Sequence, residues 1–111
     1  MDTIKTLVIE PLRRPELRDI DPTITAIGKT IGGYAEPLPL DRRTTLWCDE
    51  EGAIRNLKPN RTIRLSRDSR LADAGKPIII RGTFVITGPH PQDGPLGLDD
   101  EQIGRYAAMF A

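Results

Sequence analysis

Cysteine is nearly absent from this chain: Cys48 stands alone among 111 residues. No internal disulfide can form, which favours a reducing, cytoplasmic setting. Histidine is equally scarce. His90 and Cys48 together cannot build a Cys/His zinc site within one chain, so neither metal nor cofactor is expected. An excess of charge is missing too. Sixteen Lys and Arg balance sixteen Asp and Glu, which argues against nucleic-acid binding by bulk charge but leaves room for a local basic patch. No apolar run approaches the roughly 20 residues of a membrane helix, so no membrane span is expected. The opening MDTIKTLVIEP has no basic region, apolar stretch and small-residue cleavage site in series, and is not expected to act as a secretory signal.

What is present suits one domain over residues 1–111. Apolar residues make up 38% and charged residues 29%, ordinary values for a globular chain. KTLVIEP (5–11) reads as a strand, and ELRDI (16–20) as a short edge partner, with Pro11 and Pro15 bracketing the turn. DPTITAIGKTIGG (21–33) carries helix signals throughout. Asp21 is placed to cap, Pro22 to open the first turn, and Ile24, Ile27 and Ile31 to form a stripe. Gly32 or Gly33 then supplies the left-handed stop.

YAEPLPL (34–40) is extended, with Tyr34, Glu36, Leu38 and Leu40 on one side and Pro37 and Pro39 on the other, an arrangement that belongs at a sheet edge. TTLWCDEEG (44–52) is a strand running into a turn, with Gly52 taking the unusual dihedral. AIRNLKPNRTIRL (53–65) is irregular apart from a short strand at TIRL, and SRDSRLADAGKP (66–77) is a polar loop. PIIIRGTFVITG (77–88) is the strongest strand signal, with Gly82 marking a bulge or a close approach. After the loop GPHPQDGPLG (88–97), LDDEQIGRYAAMF (98–110) forms a helix. Asp99 and Gln102 have capping-box spacing, and Ile103, Tyr106, Ala107 and Phe110 form the apolar stripe. The sum is an α+β domain. It has a mainly antiparallel sheet of four to six strands and two helices, one after the first hairpin and one at the C-terminus.

The double glycine of IGGYAEPLPL (31–40) invites a phosphate-loop reading. The order here is helix, glycines, strand, so the glycines meet the negative helix end and not the positive one that attracts phosphate. Tyr34 and Glu36 remain candidates for contact with a ligand or partner. CDEEG (48–52) holds three adjacent carboxylates, of which Glu50 is a candidate contact residue, although a solvated turn is the plainer reading. Trp47 is either core or an interface anchor. Asn60 is a turn residue or a ligand contact. Arg61 belongs to a series with Arg55, Lys58, Arg64, Arg67 and Arg70 that forms a diffuse basic arm. No nucleophile, base and acid stand at recognisable spacing, and Cys48, beside an apolar strand and carboxylates, should have a raised pKa.

Five segments in order resemble a family of uncharacterised small domains of unknown function, encoded by bacteriophages, plasmids and other bacterial mobile elements. They are KTLVIEP, IGGYAE, CDEEG followed by LKPN, RGTFVITG, and the closing LDDEQI-x-x-Y-x-x-MF helix. The resemblance implies a small cytosolic accessory protein acting in phage–host conflict and carries over no activity. Three functions are open. The first is a non-catalytic module that binds a host protein or sequesters a small ligand, with the exposed edge at 34–40 able to pair with a partner strand or with a second copy. The second is a small enzyme using Asp49, Glu50 or Glu51, assisted by a metal or not. The third is a nucleic-acid binder using the arginines between 55 and 70.

Overall fold

The computed structural model describes residues 2–65, 75–92 and 94–111. Nine of the ten residues of the loop 88–97 lie within that set, but residues 66–74, with Arg67 and Arg70, lie outside it. The elements run β1 (Ile4–Ile9), β2 (Glu16–Ile20), α1 (Ile24–Ile31), β3 (Ala35–Asp41), β4 (Thr44–Asp49), β5 (Pro59–Arg64), β6 (Pro77–Arg81), β7 (Phe84–Thr87) and α2 (Asp100–Met109). Five strands form one antiparallel sheet in the order β2-β1-β7-β4-β3, and β5 and β6 form a separate ribbon. The α+β class, the predominantly antiparallel sheet and the positions of both helices agree with the sequence reading. Both expected edge strands, β2 and β3, lie at the edges.

The sheet is covered on both sides. Strand alternation sends Val8, Trp47 and Val85 to one face, where they pack with Ile20 and with Ile27 and Ile31 of α1. Leu7, Ile9, Leu46, Cys48, Phe84 and Ile86 go to the other face, under α2 and the ribbon. Covered on both sides, β4 is buried along its whole length, although its sequence TTLWCD is half polar. The polar members find partners. The Trp47 indole N–H donates to the Thr87 hydroxyl at 2.9 Å, and the Thr44 hydroxyl accepts from the Gln102 amide at 3.0 Å.

Three local expectations are corrected. The cap of α1 is Thr23, not Asp21: its hydroxyl accepts the Ala26 N–H at 3.1 Å. Pro22 instead sits inside a tight turn closed by the Thr23 N–H on the Asp21 carbonyl at 2.8 Å. The turn after β4 takes its left-handed residue at Asn56 (φ 53), not at Gly52. Gly52 is buried in close contact, where a Cβ would just touch the Arg81 and Asp49 carbonyls at 3.4 Å.

The third correction concerns residues 77–88, which are two strands in two sheets and not one bulged strand. Gly82 (φ +76) is the break, and Leu57 fills the space where a Cβ would stand, with Cδ1 at 2.8 Å. Asn60 secures the junction. Its amide donates to the carbonyls of Ile9 and Gly82, both at 2.9 Å, groups that the change of sheet would otherwise leave short of partners. Asn60 is thus part of β5 and not of a turn.

Helix α2 has the expected reciprocal cap: the Gln102 N–H donates to the Asp99 carboxylate at 2.8 Å and the Gln102 side chain accepts the Asp99 N–H at 2.9 Å. A polar clamp joins this end to the β3–β4 turn. Gln102 also donates to the Arg43 carbonyl at 2.8 Å, Arg43 pairs with Asp99 at 2.6 Å, and the Tyr106 hydroxyl donates to Asp41. At the opposite end, Arg61 donates to the Phe110 carbonyl at 2.9 Å, to the Arg13 carbonyl at 2.7 Å and to the Asn60 side chain at 2.6 Å. A guanidinium there also complements the negative end of the helix dipole.

Candidate functional site

The IGG stretch resolves as a helix stop. Gly32 adopts φ 86, and the N–H groups of Gly32 and Gly33 both turn back to the Gly28 carbonyl, at 2.8 and 3.2 Å. Both amides are therefore occupied inside the protein. Gly28 and Gly33 serve close approach. A Cβ at Gly28 would stand 3.0 Å from the Gly33 carbonyl, and one at Gly33 would stand 2.8 Å from the Arg55 guanidinium and press on the Asp49 carboxylate.

This close approach leaves an open hollow of about 450 Å³ between α1 and the start of β3, with glycine backbone along its floor. Ile24, Lys29 and Tyr34 line it as well. Ile24 belongs to the expected apolar stripe of α1, yet it is 48% exposed while Ile27 and Ile31 are buried. Tyr34 is 77% exposed. An aromatic and an aliphatic side chain thus flank one apolar depression beside a sheet edge.

The six candidate contact residues do not converge. Tyr34 borders the α1 hollow. Glu36 and Glu50 border a smaller hollow of about 210 Å³, lined also by Cys48 and Ile78–Arg81, on the ribbon side. Tyr34, just before the first strand residue Ala35, thus borders a different hollow from Glu36. Trp47 is fully buried, with the exposed His90 ring against it edge-on at 4.7 Å between centroids. Asn60 and Arg61 spend their hydrogen bonds on backbone carbonyls and on each other.

Two residues that entered the sequence reading only through the enzyme and basic-arm alternatives carry the architecture of this region. The Asp49 side chain is 1% exposed and ion-paired with Arg55, and its carboxylate accepts the Glu51 N–H at 2.8 Å. Arg55 also donates to the Gly32 carbonyl at 3.3 Å, which neutralises the C-terminal end of α1. The expected solvated acidic turn therefore holds for Glu50 and Glu51, which are exposed, but not for Asp49. Alternation from Trp47 to Asp49 was the available signal, since it puts the carboxylate on the α1 face.

Chemistry on the other face is quiet. Burial, then the charges of Glu36 and Asp49, push the Cys48 thiol up to about 12, as its neighbours suggested. Burial and the hydrogen bond to Asp41 push the Tyr106 phenol up to about 12. Partial burial pushes Asp41 upward, but hydrogen bonds from Tyr106, the Arg43 backbone and Thr44, with the charge of Arg105, outweigh it and hold the carboxyl below its usual range. Neutral thiol and phenol are poor nucleophiles.

The domain of unknown function DUF3846 matches residues 4–111. The chain belongs to the DUF3846 family. The match spans all nine elements from β1 to α2, as the five ordered segments led one to expect. No curated protein and no solved structure matches the chain. Among the described residues, no helix is long and apolar enough to cross a membrane.

Proposed function

We propose that this DUF3846 domain is a non-catalytic binding module, a small accessory protein of a phage or mobile element that acts in the host cytoplasm by engaging a host protein. The observation that carries this reading is the α1 hollow, with Tyr34 and Ile24 exposed on either side of an apolar floor. Exposed aromatic anchors beside a depression are characteristic of binding surfaces. The rim is open, so an occupant stays half in solvent. That suits an apolar side chain presented by a protein better than a sequestered small ligand. Lys29 on the rim adds a positive charge that would favour an acidic segment.

Of the three carboxylates of the enzyme alternative, Asp49 is engaged in holding the fold and Glu50 and Glu51 are exposed on a turn. Asp49 is paired with Arg55, Asp41 accepts from Tyr106, and Asp99 caps α2. These roles weigh against the carboxylate-enzyme alternative. The basic-arm alternative loses weight as well: Arg55, Arg61 and Arg64 all donate to groups of the protein itself.

The test is site-specific photo-crosslinking in the host cell, with the probe at position 24 and a control probe at the more accessible position 54 (Ile54 is 84% exposed, Ile24 48%). The expected result is a discrete adduct from position 24 that disappears in Tyr34→Ala. Identical adducts from both positions, or none from position 24, would contradict the reading. Native mass spectrometry that finds a retained small ligand would move it to sequestration.

A further inference from the structure

The two edges of the sheet are not equivalent, and the difference is set by which backbone groups face outward. Along an antiparallel strand, N–H and C=O of one residue point to the same side, and the side alternates residue by residue. The Glu50 N–H donates to the Tyr34 carbonyl at 2.9 Å. Tyr34, Glu36 and Leu38 therefore address β4, and Ala35, Pro37 and Pro39 face away from the sheet. Two of the three outward positions of β3 are prolines and carry no N–H. That edge is closed to strand addition, contrary to the expectation that 34–40 would be the pairing edge.

The same count fixes the other edge. The Leu98 N–H donates to the Lys5 carbonyl at 2.9 Å, while Lys5 is opposite Asp19 in the β1–β2 register. Lys5 and Leu7 thus address the β7 side, and Ile4, Thr6 and Val8 address β2. Their partners Ile20, Arg18 and Glu16 point inward, which leaves Leu17 and Asp19 with outward N–H and C=O groups. No hydrogen bond to these outward groups occurs among the described residues. The outward positions within β2 hold no proline, so Pro15 just before it limits the pairing to the strand itself, and Glu16, Leu17 and Asp19 are exposed, Leu17 by 53%.

We propose that β2 pairs antiparallel with β2 of a second copy, in the register centred on Leu17, giving a continuous ten-stranded sheet across a two-fold axis. Charge selects the occupant and the register. Centred on Leu17, the strand ELRDI sets Arg18 opposite Glu16 of the second copy, twice, while the two leucines exchange both backbone hydrogen bonds and cover each other. Centred on Arg18, two arginines would face each other, and centred on Asp19, two aspartates would, and like charges directly opposite are destabilising. Glu16 and Arg18 already form an ion pair within one chain at 2.9 Å, so both side chains lie on the same face, ready to form a four-membered network. The contact joins edges and not faces. Its area falls below the ~1,600 Å² of a standard interface, so association is weak and concentration-dependent. The α1 hollow lies at the far side of the sheet, against β3, and stays open in the dimer.

Analytical ultracentrifugation over a concentration series decides the matter. The wild type is expected to rise from the 12.3 kDa of one chain toward twice that mass. Leu17→Pro removes only an outward N–H and should hold the protein at monomer mass with its circular dichroism unchanged. Arg18→Glu should do the same by setting glutamates opposite glutamates, and the exchange Glu16→Arg with Arg18→Glu should restore the dimer. A wild type that stays monomeric throughout overturns the proposal. So does a dimer indifferent to Arg18→Glu, or an exchange variant that remains monomeric. The charge exchange keeps the test decisive if Leu17→Pro fails to fold.

Discussion

The two faces of the sheet are held by different means. The α1 face is a small cluster around Trp47, closed by one short helix and one ion pair, between the buried Asp49 and the exposed Arg55. The opposite face is larger and is stitched by polar contacts: the Asn60 bridge, the Arg61 tether, and the clamp of Asp41, Arg43, Asp99, Gln102 and Tyr106. The α1 side keeps its hydrogen bonds few and its surface apolar, and it is there that Ile24 and Tyr34 remain exposed. The other side consumes its polar groups internally. A module that binds through one side and is braced on the other is the simplest physical account of this division.

The comparison breaks first at Trp47. Trp47→Ala removes the centre of the α1-face cluster and should cost about 3–5 kcal/mol in chemical denaturation, with a cavity beneath α1. A loss under about 1 kcal/mol would mean that the cluster does not hold that face. On the braced side the equivalent break is polar. Asn60→Ala leaves the Ile9 and Gly82 carbonyls each short of a donor and should cost about 1–3 kcal/mol, with faster hydrogen exchange centred on the β6–β7 junction. Exchange that instead rises across α1 would contradict the assignment of Asn60 to the other face.

The reach of sequence reasoning follows the same division between local and non-local causes. The α2 capping box and the Gly32 stop are local, with partners within five residues, and both were legible. Residues 77–88 misled because both halves are good strand sequence. What splits them is the positive φ of Gly82 over Leu57 and the amide of Asn60, 22 residues away. Thr23 displaced Asp21 as cap because two adequate capping residues flank Pro22, and a tight turn used the first. Asp49 was hidden in an acidic run whose other members are solvated. The α1 hollow could not be read at all, since it arises where two glycines, Gly28 and Gly33, let helix, strand and ion pair approach.

Alkaline titration sharpens the comparison, because both groups with pKa values raised to about 12 belong to the braced face. Cys48 rises from 9.0 and Tyr106 from 10.0, so the fold favours their protonated forms. Their contribution is complete below pH 9 and is lost as pH climbs from there toward 12. Tyr106→Phe should flatten the upper part of that loss in a thermal-midpoint profile, and an unchanged slope would refute the role given to its hydroxyl. Asp41 works in the opposite sense: its depressed pKa stabilises the fold above about pH 4, and that contribution fades as pH falls below this. Gly32→Ala should cost about 1 kcal/mol by forcing a side chain into the left-handed region. Tyr34→Ala, at an exposed position, should change stability by less than about 0.5 kcal/mol.

That last contrast gives the most direct test. With the photo-crosslinker at position 24, Tyr34→Ala and Tyr106→Phe are compared for thermal midpoint and for adduct formation. The account predicts that Tyr34→Ala keeps the midpoint and loses the adduct, whereas Tyr106→Phe lowers the midpoint and keeps the adduct. An adduct that survives Tyr34→Ala, or that vanishes with Tyr106→Phe while the protein remains folded, would contradict the assignment of binding to the α1 face.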